Sequence, residues 1–345
     1  MTEQNVKIGI VGAGIWGRNH ALALTTHPRS NVAIICDRDQ GRARTLADTY
    51  GCAWTTSLSE LAASDVEAVT IATPDHLHLE PTLVMLRAGK HVLVEKPLAT
   101  SVVEARAMVE AAEQAGVTFM VDFHARWNLL FMGAKAYVER GELGAPVMAY
   151  ARLSDTIFVP TEMLAWASHS GPEWFLFPHT MDVVRWLFGR EPIEVYAKGY
   201  RGVLEGKGIT CWDAIQAMVE FEGRAFCTFE TSWIVPNSYT NVVDNRLSLY
   251  GERGGLELKN EPALWAFTER FHTPFSSESV TRYGKPWGYQ YESIRYFVDC
   301  VVDGSEPEAS GRDGLMVTAM IEATLKSLVE RRPVKIAEVL SAAGC

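Results

Sequence analysis

The stretch Val6-Lys7-Ile8-Gly9-Ile10-Val11-Gly12-Ala13-Gly14-Ile15-Trp16-Gly17 decides the fold of this chain. Six residues, apolar but for Lys7 and Gly9, read as a strand, and a glycine-rich turn and an amphipathic segment (16–26) follow. A G-x-G-x-x-G hexapeptide by itself says little. Placed directly after a strand and at the head of a helix, it reads as a dinucleotide-binding turn. Gly12 permits the tight turn, Gly14 lets the backbone approach a pyrophosphate, and Gly17 allows the helix to pack closely on the strand. The helix N-terminus, with Ile15 and Trp16 in the turn, offers free amides and positive dipole to the phosphates.

Asp37 lies 20 residues beyond Gly17 and ends the second apolar run (31–36). A carboxylate there can take both hydroxyls of a ribose; the plainer alternative is a solvated acid at a strand end. Because Asp37 would repel a 2′-phosphate, it favours NAD. Arg38 beside it keeps NADP open.

Further apolar runs at 66–72, 91–94 and 117–121 alternate with amphipathic segments at 40–50, 77–88 and 102–115, with a short helical segment at 57–64. Near-continuous apolar strands separated by helices of this length indicate a parallel sheet covered on both faces, a doubly wound α/β domain. After Asp122 the pattern changes. A helix (129–140) ends at Gly141. Residues 214–221, the turn Glu222-Gly223 and residues 225–233 read as a hairpin, and 246–250 with 256–259 as another. A helix over 314–331 closes the pattern. The expected fold is therefore α/β: an N-terminal Rossmann domain, 1–122, and a C-terminal α+β domain, 123–345, with a large, mostly antiparallel sheet for substrate binding and oligomerisation.

The 345 residues are 48% hydrophobic and 21% charged, with a net charge of −10. The length suits two domains at about 150 residues each. Charge divides into −4 over residues 1–122 and −6 over the remainder, so neither half is basic enough to favour nucleic acid. No run approaches the ~18 apolar residues of a membrane span. The first ten residues lack a signal-peptide pattern, which points to the cytoplasm. Six scattered cysteines form no C-x-x-C pair and read as free thiols. His76 and His78 stand two apart, a poor spacing for two ligands on one helix face, so no metal is expected. Ten tryptophans stand out, eight of them from Trp127 onward.

Two more segments carry a resemblance. Thr73-Pro74-Asp75-His76-Leu77-His78 follows the third apolar run, and Gly89-Lys90-His91-Val92-Leu93-Val94-Glu95-Lys96-Pro97-Leu98 spans the fourth. With the glycine turn, the Gly251–Gly255 connection and the closing helix, the chain resembles the Gfo/Idh/MocA oxidoreductases over nearly its full length. The resemblance implies NAD(P)-dependent hydride transfer to or from a sugar, polyol or related cyclic alcohol. Thr73, Pro74, His78, Glu95 and Lys96 then join Gly12, Gly14, Ile15, Trp16, Gly17, Asp37 and Arg38 around the cofactor. It also implies that the Lys96 ammonium stabilises charge on the reacting oxygen.

The family's second-domain motif has an aspartate four residues before a histidine and another three after it. Here His179 and Asp182 match, and Phe175 stands where the first aspartate is expected. His179, after Pro178 at a helix start, is the expected proton acceptor, since a helix N-terminus disfavours imidazolium; a core or capping histidine is the alternative. Asp182 suits a helix's first turn in any case. Asn128 and Trp174 are further candidates for substrate contact, and Asp155, Tyr283 and Tyr291 weaker ones. Two other readings fit the same residues. One is a redox-neutral, NAD-dependent glycosidase or lyase. The other is a dinucleotide-binding sensor without turnover. A free face on the second sheet predicts a homodimer or homotetramer.

Overall fold

The structure, a computed structural model, describes residues 5–259, 265–267, 272–274, 280–282, 285–342 and 344. Its contacts divide the chain into two units, residues 1–127 with 277–316 and residues 128–276 with 317–345.

The first unit begins with β1 (Val6–Val11), α1 (Ile15–Thr25), β2 (Ser30–Cys36), α2 (Gln40–Tyr50), β3 (Ala53–Thr55), α3 (Leu58–Ala63) and β4 (Ala68–Ile71). It continues through α4 (Leu79–Arg87), β5 (His91–Glu95), α5 (Val102–Ala115) and β6 (Phe119–Asp122). The six strands form one parallel sheet in the order β3-β2-β1-β4-β5-β6. All four residues of β4 and of β6 are buried, as strands covered on both faces must be, and this is why their sequences are continuous apolar runs. Local capping sets the helices: Asp39 and Ser101 accept from the amides of Arg42 and Glu104, and Gly51 and Gly116 end α2 and α5 in the left-handed conformation. The edge strand β3 was not expected. Three residues are too few for a periodic signal, and pairing with β2 defines it.

Beyond residue 127 come α6 (Leu129–Glu139), β7 (Pro146–Thr156), α7 (Pro172–Phe175), α8 (Phe177–Phe188), β8 (Pro192–Tyr200), β9 (Ala214–Phe221) and β10 (Phe226–Val235). Then follow β11 (Val243–Gly251), β12 (Gly255–Lys259) and two short pairs, β13 (Trp265–Phe267) with β14 (His272–Pro274) and β15 (Val280–Arg282) with β16 (Lys285–Trp287). The chain ends in α9 (Tyr289–Asp303), α10 (Gly311–Glu330), β17 (Val334–Lys335) and α11 (Ile336–Ala342).

The second unit's sheet runs β12-β11-β7-β10-β9-β8-β17 and is antiparallel except where β10 lies parallel to β7. Strict alternation of buried and open residues on β9 gives it one covered and one open face. Helix α8 packs on β7 and β10, with Phe177 edge-on to Phe229 and Phe188 edge-on to Phe221. The hairpin expected at Glu222-Gly223 is real, but its connection is longer. Phe226 pairs with Glu220, and residues 222–224 form a helical turn with Gly223 and Arg224 at positive φ.

The division also differs from a cut after Asp122. Helix α9 groups with the first unit because its apolar face, Tyr291, Ile294, Phe297 and Val298, is buried there, and Asp299 and Asp303 pair with Arg29. Gly314 at the start of α10 lies so close to Leu98 and Val121 that a Cβ would come within 2.8 Å of each.

Candidate active site

The cofactor cradle is built from backbone. Gly12 has φ +101°, and a Cβ on it would meet Ala72 O at 2.5 Å. A Cβ on Gly17 would lie 1.8 Å from Gly12 O, so the first turn of α1 rests directly on the glycine turn. A Cβ on Gly14 would meet nothing within 4 Å. The open space is therefore at the glycine where a G-x-G-x-x-G turn lets a pyrophosphate approach. Gly14 caps α1 without a side-chain hydrogen bond, and no acid occupies the first turn, so the terminal amides and the dipole are available to an anion. Ile15 is exposed and Trp16 half-buried, its ring stacked on His124 at 6.1 Å.

Asp37 follows β2 and is half-buried. It accepts the amide of Ala13 at 2.7 Å on Oδ2 and that of Asp39 at 2.8 Å on Oδ1, which fixes the carboxylate over the glycine turn. A carboxylate has about four lone-pair directions, so two hydroxyls can still be taken. Arg38 points into solvent beside Glu80 at 3.4 Å. These features fit a dinucleotide: Gly12 to Gly17 and α1 would hold the pyrophosphate, and Asp37 a ribose.

Thr73 and Pro74 follow β4, and Glu95 and Lys96 stand at the end of β5, so every predicted cofactor residue of this unit lies beyond the carboxyl ends of the parallel strands. His78 is buried, with Nδ1 2.8 Å from Pro97 O and Nε2 3.0 Å from Thr73 O. Both partners are carbonyls, so a neutral ring donates to one of them at a time, and His78 sits between the Thr73 loop and the Lys96-Pro97 turn. That turn contains a cis peptide bond between Lys96 and Pro97, and Lys96 is 6% exposed.

Beneath the turn lies a cluster that the sequence did not reveal. Glu95 and Asp122 are register partners at the ends of β5 and β6. His20 of α1 reaches both: its Nε2 donates to Glu95 Oε1 at 3.0 Å and lies 3.8 Å from Asp122 Oδ2. All three are almost wholly buried. Burial, then the neighbouring Glu95 charge, pushes the Asp122 carboxyl up to about 7, against the opposing pull of His20, Ser293 and Lys96. For Glu95 burial acts upward too, but the hydrogen bond and charge of His20, with His124 and Lys96, hold it below the usual carboxylate range. Burial takes His124 down to about 4 despite the Glu95 charge, so that ring is neutral. A histidine on the inner face of a helix reads as core, and only the sheet pairing brings the two acids to it.

In the second unit, His179 occupies the first turn of α8, behind Pro178, with its amide on Leu176 O at 3.1 Å. The imidazole is half-buried, no acid stands in the first turn of α8, and Leu176 joins α7 to α8 in a helical conformation. Asp182 is fully buried on the same helix. Phe175 packs between Trp166, 6.0 Å away, and Trp233, 5.7 Å away, beside an apolar cluster with Leu153, Leu164 and Leu176. Trp174 is buried in α7. Asp155 is buried and accepts Trp233 Nε1 at 3.3 Å. The carboxamide of Asn128 caps α6, accepting the Leu130 amide at 2.9 Å. Tyr291 is buried in α9 of the first unit, and Tyr283 lies outside the described residues.

Comparison with known proteins agrees with this geometry. Residues 6–123 match the model of the oxidoreductase family with an NAD-binding Rossmann fold, and residues 131–257 match the Gfo/Idh/MocA C-terminal domain. An inositol 2-dehydrogenase from Rhizobium meliloti is 26% identical over 96% of this chain and 99% of its own. Another, from Acidothermus cellulolyticus, is 29% identical over 95% and 94%. The crystal structure of scyllo-inositol dehydrogenase from Lactobacillus casei, with bound NAD(H) and scyllo-inositol, superposes with a TM-score of 0.81 at 20% identity over 97% of this chain and 100% of its own. No described helix is long and apolar enough to cross a membrane. The chain belongs to the Gfo/Idh/MocA family of NAD-binding oxidoreductases.

Proposed function

We propose that this protein moves a hydride between NAD and a secondary alcohol of a cyclic polyol or sugar, with Lys96 stabilising the alkoxide and His179 handling the proton. The observation that carries the reading is the turn Glu95-Lys96-Pro97, which holds a buried lysine beyond the same strand ends as the glycine turn and Asp37. The inositol dehydrogenases among its relatives support the substrate class. NAD, when bound, supplies the hydride-accepting nicotinamide. The alcohol must lose its hydroxyl proton as its C–H bond breaks and the carbonyl forms. A ring nitrogen of His179 accepts that proton, and the Lys96 ammonium lowers the cost of charge on the oxygen meanwhile. In the reverse direction the protonated imidazole returns the proton to the nascent alkoxide. The negative charge of Asp37, with lone pairs left for ribose hydroxyls, favours NAD over NADP.

Purified protein, screened with NAD and NADP against inositols and aldoses by the absorbance of reduced nicotinamide, tests the reading. Lys96→Ala should lower kcat by about 10²–10³ and His179→Ala by about 10²–10⁴. Near-normal rates in either variant refute that residue's role. Cofactor binding without turnover on any alcohol refutes the dehydrogenase and favours the sensor, to which the apolar Phe175 lends some support. Glycoside cleavage without net reduced cofactor identifies a redox-neutral enzyme.

The open face of the second sheet supports a homo-oligomer. Tyr196 and Met218 are register partners and both exposed, and Met148 and Tyr250 are a second such pair. Met218→Arg should shift a dimer or tetramer toward monomer in analytical ultracentrifugation. A wild-type protein that stays monomeric at all concentrations refutes assembly.

A further inference from the structure

Glu95, Lys96 and Asp122 sit at adjacent strand ends, and His20 closes the space between the two acids from α1. Two carboxyl groups and an imidazole buried together cannot all carry independent charge, because desolvation and like-charge repulsion both oppose it. We propose that Glu95, His20 and Asp122 form a buried proton-sharing group whose change of charge sets the electrostatic environment, and so the charge state and position, of the Lys96 ammonium. The inference rests on the role given to Lys96 above, and makes the three positioning residues of that reaction.

Three observations carry it. The Nε2 of His20 lies between the acids, 3.0 Å from one and 3.8 Å from the other, so a single ring nitrogen faces both. Asp122 Oδ1 is buried with no hydrogen-bond partner among the described residues, which a neutral carboxyl tolerates far better than a carboxylate. Lys96 acts on both acids through its charge, and a change of charge on either acid acts back on the ammonium. The groups facing Asp122 are Glu95 and Lys96 from the end of β5, His20 from α1 and the Ser293 hydroxyl from α9, while His124 faces Glu95. When Asp122 releases its proton to solvent, near pH 7, the charge facing Lys96 becomes more negative by one unit.

The test reads Lys96 directly, because an ordinary imidazole elsewhere in the protein titrates in the same range and would confuse a rate profile. In protein labelled with 13C-lysine, without cofactor, the Lys96 Cε resonance is assigned by its loss in Lys96→Arg and followed from pH 5 to 9. The wild-type resonance should step with a midpoint near 7. Asp122→Asn should abolish the step. His20→Gln, which keeps a donor for Glu95 but carries no charge, and His20→Leu should both move its midpoint, because the His20 charge acting on Asp122 is removed; an unmoved midpoint in both variants overturns the part given to His20. A step that survives in Asp122→Asn, or a wild-type resonance flat through this range, overturns the proposal. So does a stoichiometric metal ion in the purified protein that is lost in His20→Gln, since the three donor atoms lie within 4.8 Å of one another. A normal step in a protein that oxidises no alcohol supports the proton-sharing group and refutes the function given to Lys96.

Discussion

One methyl group added to Gly14 and one added to Gly17 should have opposite consequences, although the two glycines are a single turn apart. At Gly17 the new Cβ lies 1.8 Å from Gly12 O. Ordinary C···O contacts begin near ~3.3 Å, so α1 or the glycine turn must retreat by about 1.5 Å. Overpacking of this kind costs about 1–3 kcal/mol, and a domain of this size loses about 2–4 °C in Tm per kcal/mol. At Gly14 the backbone has φ −77°, which alanine adopts freely, and the added methyl meets nothing within 4 Å. Gly14→Ala should melt with the wild type. Its methyl group nevertheless stands where a pyrophosphate approaches the backbone, so NAD affinity should fall by at least tenfold, about 1.4 kcal/mol. Thermal melts with and without NAD, together with calorimetric titration, separate the two effects. Gly17→Ala should lose melting temperature in the absence of any ligand, and Gly14→Ala should lose only the NAD-dependent gain. If Gly14→Ala binds NAD like the wild type, or Gly17→Ala melts unchanged, the assignment of approach and packing to these glycines is wrong.

Two predictions concern buried carboxyl groups. Asp122 has a folded pKa raised to about 7, against about 3.9 unfolded. The folded state therefore binds the extra proton between those values, and this residue's contribution to stability falls as pH rises through that window. Asp122→Asn removes the effect, so urea melts should find it more stable than the wild type at pH 8, with the gap closing towards pH 4. The opposite order would show that the acid is well solvated or well paired. Phe175→Asp places a carboxylate between Trp166 and Trp233. It should cost about 3–5 kcal/mol near neutrality and less as pH falls towards 4. An unchanged urea midpoint would mean that the site opens to solvent.

The elements most legible in the sequence are those with a local cause. Strands covered on both faces must be apolar throughout, so β1, β4 and β5 are evident before any contact is known. The glycine turn is equally local, because its φ and its close approaches are properties of a few consecutive residues. The longer connection between β9 and β10 was missed because period-2 alternation does not say where pairing stops. The parallel placement of β10 against β7 pairs residues 78 or 79 positions apart and leaves no periodic trace. Helix α9 joins the first unit for a similar reason: its partners, Arg29 among them, lie far away in sequence.

The candidate site residues divide in the same way. By itself the sequence determined the dinucleotide turn, the acid at Asp37, the lysine turn at Lys96 and the helix start at His179, since each depends on residue types at fixed spacing along one segment. Only the tertiary structure decided that Asn128 caps a helix, that His78 sits between two loops, and that Phe175 belongs to an aromatic cluster. It alone brought His20 to Glu95 and Asp122. The physical reason is that desolvation and charge coupling depend on which groups share a buried space, and that is set by strand order and helix packing rather than by neighbours along the chain.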